Sequence, residues 1–386
     1  MVINKDSAEE DFIKVLPDNG TGVEQEDISG GERIIDPFDP TLIRVDTRPM
    51  TIDLLRSRIE YQELDLAPSF QRKGGIWKDE AQSRLIESML IRIPLPAFYM
   101  DATNDEKWLV VDGLQRLTTI KRFIVERQLR LRGLEFLTQL EGKLYNELPR
   151  NYQRRIGETQ VTVYLIEKGT PDEVKFNIFK RINTGGLPLS AQEIRHALNQ
   201  GIATQFLAQL ASSEEFKRAT DYSIRDDRMA DRECVLRFLA FRLMSYTKYD
   251  KTIESFDDFL NKTMKDLNKM APQTSDDLQH QFKRAMNAAY KLFDKDAFRK
   301  RIKDNDPRQP INKALFESWS VNLNQLTDSQ LALLIQRRDI VKQKFIALMN
   351  IDRAFNEAIS QGTGDQKKVK YRFKAIENII MGVLSE

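Results

Sequence analysis

Trp108-Leu109-Val110-Val111-Asp112-Gly113-Leu114-Gln115-Arg116 is the stretch on which the fold turns. Four apolar residues, two of them β-branched, form a short strand that stops at Asp-Gly. Leu117, Ile120 and Ile124 then recur at helical spacing, so a helix begins directly after the glycine. A strand that runs into Asp-Gly and out as a helix presents free backbone N–H groups and a positive dipole end, a setting suited to phosphate. Gly113 lets backbone approach a ligand without a Cβ. Arg116 can fork onto two phosphate oxygens, and Gln115 can hold a water or a base edge. Asp112 complicates this, because a carboxylate repels phosphate unless a metal ion lies between them. It reads either as a plain N-cap or as a magnesium contact or water-positioning group. Arg116 itself is a cation at the end of a helix that disfavours cations, which suggests that something anionic meets it.

Outward from this junction the N-terminal half alternates helix and strand. Helix is expected from about Thr51 to Arg58, strand from Ile59 to Leu66, and a clear helical stripe at Ala81, Leu85, Ile86, Met89 and Leu90, stopped by Pro94 and Pro96. Ala97–Met100 and Gln160–Ile166 read as strands. Thr170-Pro171-Asp172-Glu173 and Ser190-Ala191-Gln192-Glu193 read as capping boxes that start two more helices. Beyond about residue 204 strand patterning disappears. Helices are legible around 231–247, 278–300, 311–320, 328–358 and 366–384, a helical bundle. The expected organisation is an acidic arm over 1–45, a nucleotide-binding α/β domain over 46–204 and an all-helical domain over 205–386.

Charge and composition narrow the classes. The 386 residues are 41% hydrophobic and 31% charged with a net charge of +2, a globular balance. The first 40 residues carry eleven acids against Lys5, Lys14 and Arg33, a net −8, so the rest is +10. The arm reads as a solvated tail; the sharper alternative lays it over a basic groove when nucleic acid is absent. No apolar run is long enough for a membrane helix, and the N-terminus lacks a signal-peptide pattern. The single Cys234 sits in an apolar run and reads as an inert buried thiol. All of this fits the cytoplasm. The motifs of P-loop NTPases, dinucleotide-binding folds and zinc proteases are absent, and with only His196 and His280 a His-Asn-His nuclease cannot be assembled.

Three further clusters stand beside regular elements: Gln71-Arg72, Arg181-Ile182-Asn183-Thr184-Gly185-Gly186, and Glu193 with Arg195-His196. One glycine suffices to stop a helix; the pair Gly185-Gly186 after Asn183 suggests backbone close to a ligand. Glu193 has a ready task in the Ser190 capping box, and His196 reads as a surface or capping histidine. Lys367, Lys368, Lys370 and Arg372 open the last helix, a candidate DNA contact whose spacing also suits a solvated face.

Taken in order, these clusters resemble one family. The matching stretches are Pro68–Arg72 with Trp77, Arg84–Ser88 with Ile93–Pro96, Val111–Thr118, and Phe179–Gly186 with Gln192–Arg195. They resemble the large bacterial family with an Asp-Gly-Gln-Gln-Arg motif, which forms the N-terminal domain of GmrSD-type modification-dependent restriction enzymes and related phage-defence proteins. The resemblance implies a ParB/sulfiredoxin-like fold, hence α+β followed by an all-helical region. It implies a nucleotide site to which Gly113, Gln115 and Arg116 bring phosphate contacts and which Gln71 and Arg72 face. With these go Arg181, Asn183, Gly185 and Gly186 as nucleotide-binding candidates, and Asp112, Gln115 and Gln71 as catalytic ones. The implied ligand is a nucleoside triphosphate, with Asp112 as the candidate magnesium contact read above, and the implied activity is an NTPase that licenses a nuclease. Leu114 departs from the motif, losing one polar group. No nuclease domain is legible, so the expected role is a sensor or NTPase subunit with DNA and a partner nuclease, the chain itself forming a homo-oligomer. A nucleotide-gated DNA- or partner-binding module without hydrolysis is the alternative, and a nicking nuclease on the same site is a third reading.

Overall fold

A computed structural model describes residues 17, 20–26, 43–66, 77–182, 189–226, 228–250, 252–253, 255–304 and 306–386. They fall into two compact units, Pro37–Leu198, and Asn199–Glu386 together with the described residues of the first 36. The mixed α/β part followed by helices is the expected fold class.

The α/β unit runs β1 (Val45–Thr51), α1 (Ile52–Glu60), β2 (Leu64–Asp65), α2 (Asp79–Leu90), β3 (Phe98–Asp101), β4 (Trp108–Asp112), α3 (Leu114–Ile120), α4 (Arg150–Gly157), β5 (Gln160–Ile166), α5 (Asp172–Ile182) and α6 (Ala191–Leu198). The five strands form one sheet in the order β1-β5-β3-β4-β2. β3 runs parallel to β5 and β2 to β4, while β1–β5 and β3–β4 are antiparallel. Successive side chains in a strand point to opposite faces, and the core divides accordingly. Val110 and Leu165 pack with the apolar sides of α1 to α4, whereas Val111 and Ile166 pack with Phe176 and Phe179 of α5 and Ile194 of α6. The sheet is therefore covered on both faces, and its junctions open at the strand ends.

Local chemistry corrects two expected elements. The strand expected over Ile59–Leu66 is only Leu64–Asp65, because α1 runs on to Glu60 and Gln62 takes a left-handed φ of 60° to turn the chain. Thr170 is also drawn elsewhere: its hydroxyl accepts from the Arg44 N–H at 3.1 Å and donates to the Arg44 carbonyl at 3.3 Å. The second box forms as read. Ser190 N–H donates to Glu193 Oε2 at 2.5 Å and Glu193 N–H to Ser190 Oγ at 3.1 Å.

The helical unit contains α7 (Ile202–Ala211), α8 (Glu214–Ala219), α9 (Ala230–Leu243), α10 (Phe256–Asn268), α11 (Pro272–Phe293), α12 (Lys313–Asn324), α13 (Asp328–Gln336), α14 (Arg338–Ile351), α15 (Arg353–Ser360) and α16 (Gln366–Ser385). The single helix expected over 328–358 is three, and Asp352 ends one while capping the next through Phe355 N–H at 2.9 Å. Cys234 is buried and burial pushes its thiol pKa up, which suits an inert thiol. Among the described residues no helix is long and apolar enough to cross a membrane.

The acidic arm is not a plain solvated tail throughout. Val23 is buried and bridges to Ile311. Glu24 accepts from Lys300 at 2.7 Å and from Asn312 Nδ2 at 2.9 Å. Glu26 accepts from Arg237 Nη1 at 2.8 Å and from the Thr363 hydroxyl at 2.6 Å, with Lys313 at 3.6 Å. The reason is electrostatic: a cation taken out of water needs an opposite charge beside it. Arg372 belongs to the same interior. It is fully buried, donates from Nε to Glu317 Oε1 at 3.0 Å, and donates to the carbonyls of Thr363 and Ala358 at 2.7 and 3.2 Å. This removes Arg372 from the candidate DNA-facing cluster. Lys367 stays exposed, and Lys368 and Lys370 are half-buried.

Candidate functional site

The end of β4 and the start of α3 bring four expected residues together: Asp112, Gly113, Gln115 and Arg116. Gly113 sits at a φ of 98°, where an L side chain is strained. A Cβ there would lie 2.4 Å from the Phe98 ring. The glycine is thus required by the turn and by Phe98 before any ligand is considered.

Arg116 is turned into the chain. Its guanidinium is buried, lies 4.4 Å from the Phe98 ring centroid, and donates to the Pro96 carbonyl, to the Ala97 carbonyl at 3.1 Å and to Asp112 Oδ2 at 2.8 Å. The anionic group that a cation in this first helical turn calls for is therefore present within the protein. Burial presses the Arg116 pKa down, and Asp112 beside it opposes the shift. Asp112 keeps 30% of its side chain exposed. Burial raises its carboxyl pKa, against the pull of Arg116 and of the Gly113 N–H. Gln115 Oε1 accepts the Trp77 backbone N–H at 3.2 Å, so this side chain ties α3 to the approach to α2.

Arg181 lies exposed in the last turn of α5. Gln71, Arg72, Asn183, Gly185 and Gly186 fall outside the described residues. His196 is buried in α6 rather than at the surface. Among the described residues no three His, Cys, Asp or Glu side chains come together as a metal site.

Two features escaped the sequence reading. Glu87, 3% exposed on α2, accepts the N–H groups of Glu135, Phe136 and Leu137 at 3.0, 2.8 and 2.7 Å. Burial raises its pKa, but these three donors lower it more. Its place in Arg84–Ser88, one of the stretches that carried the resemblance, was the only hint of such a role. Tyr99 and Tyr164 stack at 4.8 Å with an interplanar angle of 17°. They are far apart in sequence, and their pairing needed the strand order.

Residues 52–200 match the family model of the GmrSD restriction endonuclease, N-terminal domain. Over this segment the chain is similar to that domain. The matched residues take in the Asp112–Arg116 junction, Glu87, Arg181 and the Ser190–Glu193 box, the stretches that carried the resemblance. No curated protein matches the chain.

Proposed function

We propose that the chain acts in restriction-like defence against foreign DNA, with a nucleoside triphosphate site at the β4–α3 junction that couples hydrolysis to DNA recognition. The observation that carries this reading is the match of residues 52–200 to the N-terminal domain of a restriction endonuclease. The junction is chemically consistent with it. Asp112 is partly exposed beside a locked Arg116, at a helix start whose first N–H groups have no intrahelical acceptor. Gly113 adds no empty cradle, since Phe98 fills the space of its Cβ. A lone carboxylate suits magnesium held mainly by the nucleotide's own phosphates, with Asp112 supplying one protein ligand.

A second reading keeps the nucleotide as a gating ligand only. It is favoured by the pairing of Asp112 with Arg116, which already uses one carboxylate oxygen. Phosphate release from the four ribonucleoside triphosphates, with and without magnesium and duplex DNA, separates the two. DNA-stimulated release supports the NTPase. A thermal shift on nucleotide binding without release supports gating, and neither signal with any nucleotide overturns the site. The excess positive charge beyond residue 40 is consistent with DNA as partner.

A further inference from the structure

Between α3 and α4 the chain reads Leu129-Arg130-Leu131-Arg132-Gly133-Leu134-Glu135-Phe136. Leu129, Leu131 and Leu134 pack in the core of the α/β unit, while Arg130 and Arg132 between them are exposed. Leu131 N–H donates to the Lys143 carbonyl at 3.1 Å and Gly142 N–H to the Leu131 carbonyl at 2.8 Å, which closes a loop at its base. Phe136 breaks the pattern. It is 66% exposed, although Leu134 and Leu140 on either side of it are buried.

The backbone that carries this ring is tied down. Six consecutive N–H groups each donate to a side chain: Arg132 to Ser83 Oγ at 2.9 Å, Gly133 and Leu134 to the two oxygens of Glu141 at 2.9 and 3.2 Å, and Glu135, Phe136 and Leu137 to Glu87. A surface loop can leave such groups to water. Here two carboxylates, one of them buried, fix it instead. A lone exposed apolar residue needs no explanation, but one on a pre-organised backbone has little freedom to lose on binding.

The surroundings are basic. Residues 121–143 carry six cations, Lys121, Arg122, Arg127, Arg130, Arg132 and Lys143, against Glu126, Glu135 and Glu141. Glu141 is turned onto the loop's own amides, and Glu135 pairs with Arg84 at 3.3 Å through side chains that are 53% and 58% exposed, a pair that water screens and that yields readily to another anion. A protein partner calls for a broad apolar contact, whereas one ring among arginines suits a strand of phosphates and bases.

We infer that this loop is a contact site for a DNA strand, at which Arg84, Arg130 and Arg132 meet phosphates and the Phe136 ring stacks on an unpaired base. The inference rests on the reading of DNA as the partner. Every base has a π-face, so the site tolerates any sequence.

The test is fluorescence anisotropy of the full chain with labelled single-stranded DNA and with labelled inorganic polyphosphate, which has no bases, alongside melting curves. Phe136→Ala is expected to weaken DNA about fivefold to a hundredfold and to leave polyphosphate binding and the melting curve unchanged. Phe136→Trp retains the affinity, and DNA quenches its added indole emission. Arg132→Gln weakens both ligands and lowers the slope of log affinity against log salt by about 0.7. A parent that binds DNA while the folded Phe136→Ala variant binds it equally well overturns the stacking site, spares DNA as partner and returns the ring to a protein-facing surface. Equal weakening of DNA and polyphosphate shows that the substitution acts through the shape of the loop, and also overturns the site. A parent that binds no DNA at low salt overturns the DNA reading and the site with it.

Discussion

Arg372 and Arg116 are both buried arginines paired with a carboxylate, and they show what depth does to an ion pair. Around Arg372 the interior is closed: Glu317 is fully buried with it, and Glu317 Oε2 also lies 3.5 Å from Arg237. Arg237 in turn holds Glu26, and Glu233 at 2.8 Å. Lys313 reaches Glu233 at 3.1 Å. Every charge there is spoken for by another side chain. At the β4–α3 junction Arg116 is equally locked, but its partner Asp112 remains partly exposed at a strand end. Desolvated pairs lose much when one member is removed, because the other is left buried and uncompensated. A pair with one open member can still meet a ligand.

The comparison is broken most directly by removing the arm. Deletion of residues 1–26 takes away Glu24 and Glu26 and leaves Lys300, Arg237 and Lys313 short of one buried and one half-buried carboxylate. The expected loss is at least about 3–5 kcal/mol, read as a lower urea midpoint. A midpoint equal to the parent's returns the arm to the status of a solvated tail. Arg372→Met comes next, with about 3–5 kcal/mol lost because Glu317 is stranded in the core. A neutral result would mean that Arg237 alone satisfies Glu317.

Arg116→Ala sharpens the other side of the comparison. Its three acceptors predict a stability loss of about 1.5–3 kcal/mol. If the nucleotide proposal holds, the loss of binding exceeds what the melting curve explains. Unchanged stability would show that the Asp112–Arg116 pair contributes nothing to the fold.

Glu87 supplies a pH-dependent case. Its folded pKa lies below the usual 4.5, so its contribution is present above the unfolded value and lost as pH falls through the folded one. Glu87→Gln is expected to cost about 1.5 kcal/mol or more at pH 7. The gap to the parent should close below about pH 4.5 as the parent's carboxylate protonates. A gap that stays constant between pH 7 and pH 3 refutes the assignment. At the shallow extreme, Arg353→Ala breaks a pair with Glu357 whose side chains are 79% and 49% exposed. It should change stability by no more than about 0.5 kcal/mol, and a larger shift in the urea midpoint would contradict the dependence on depth.

Periodicity and local caps were enough to read much of this chain. The strand at Trp108–Asp112, the strand at Gln160–Ile166, the Ser190–Glu193 box and the all-helical second half were legible because each depends on neighbours a few residues away. So was the resemblance, since its motifs are contiguous. What the tertiary structure alone decided involves partners distant in sequence. Glu24 and Glu26 looked like solvent-facing acids until packing placed Lys300 and Arg237, some two to three hundred residues later, beside them. Arg372 looked like one of a basic run until Glu317 met it in the core. The stack of Tyr99 on Tyr164 exists only because the sheet sets β5 beside β3. A hydrophobic period specifies which face of an element is buried, but the identity of the charge waiting on the other side is set by packing, where desolvation makes an unpaired ion too costly to leave alone.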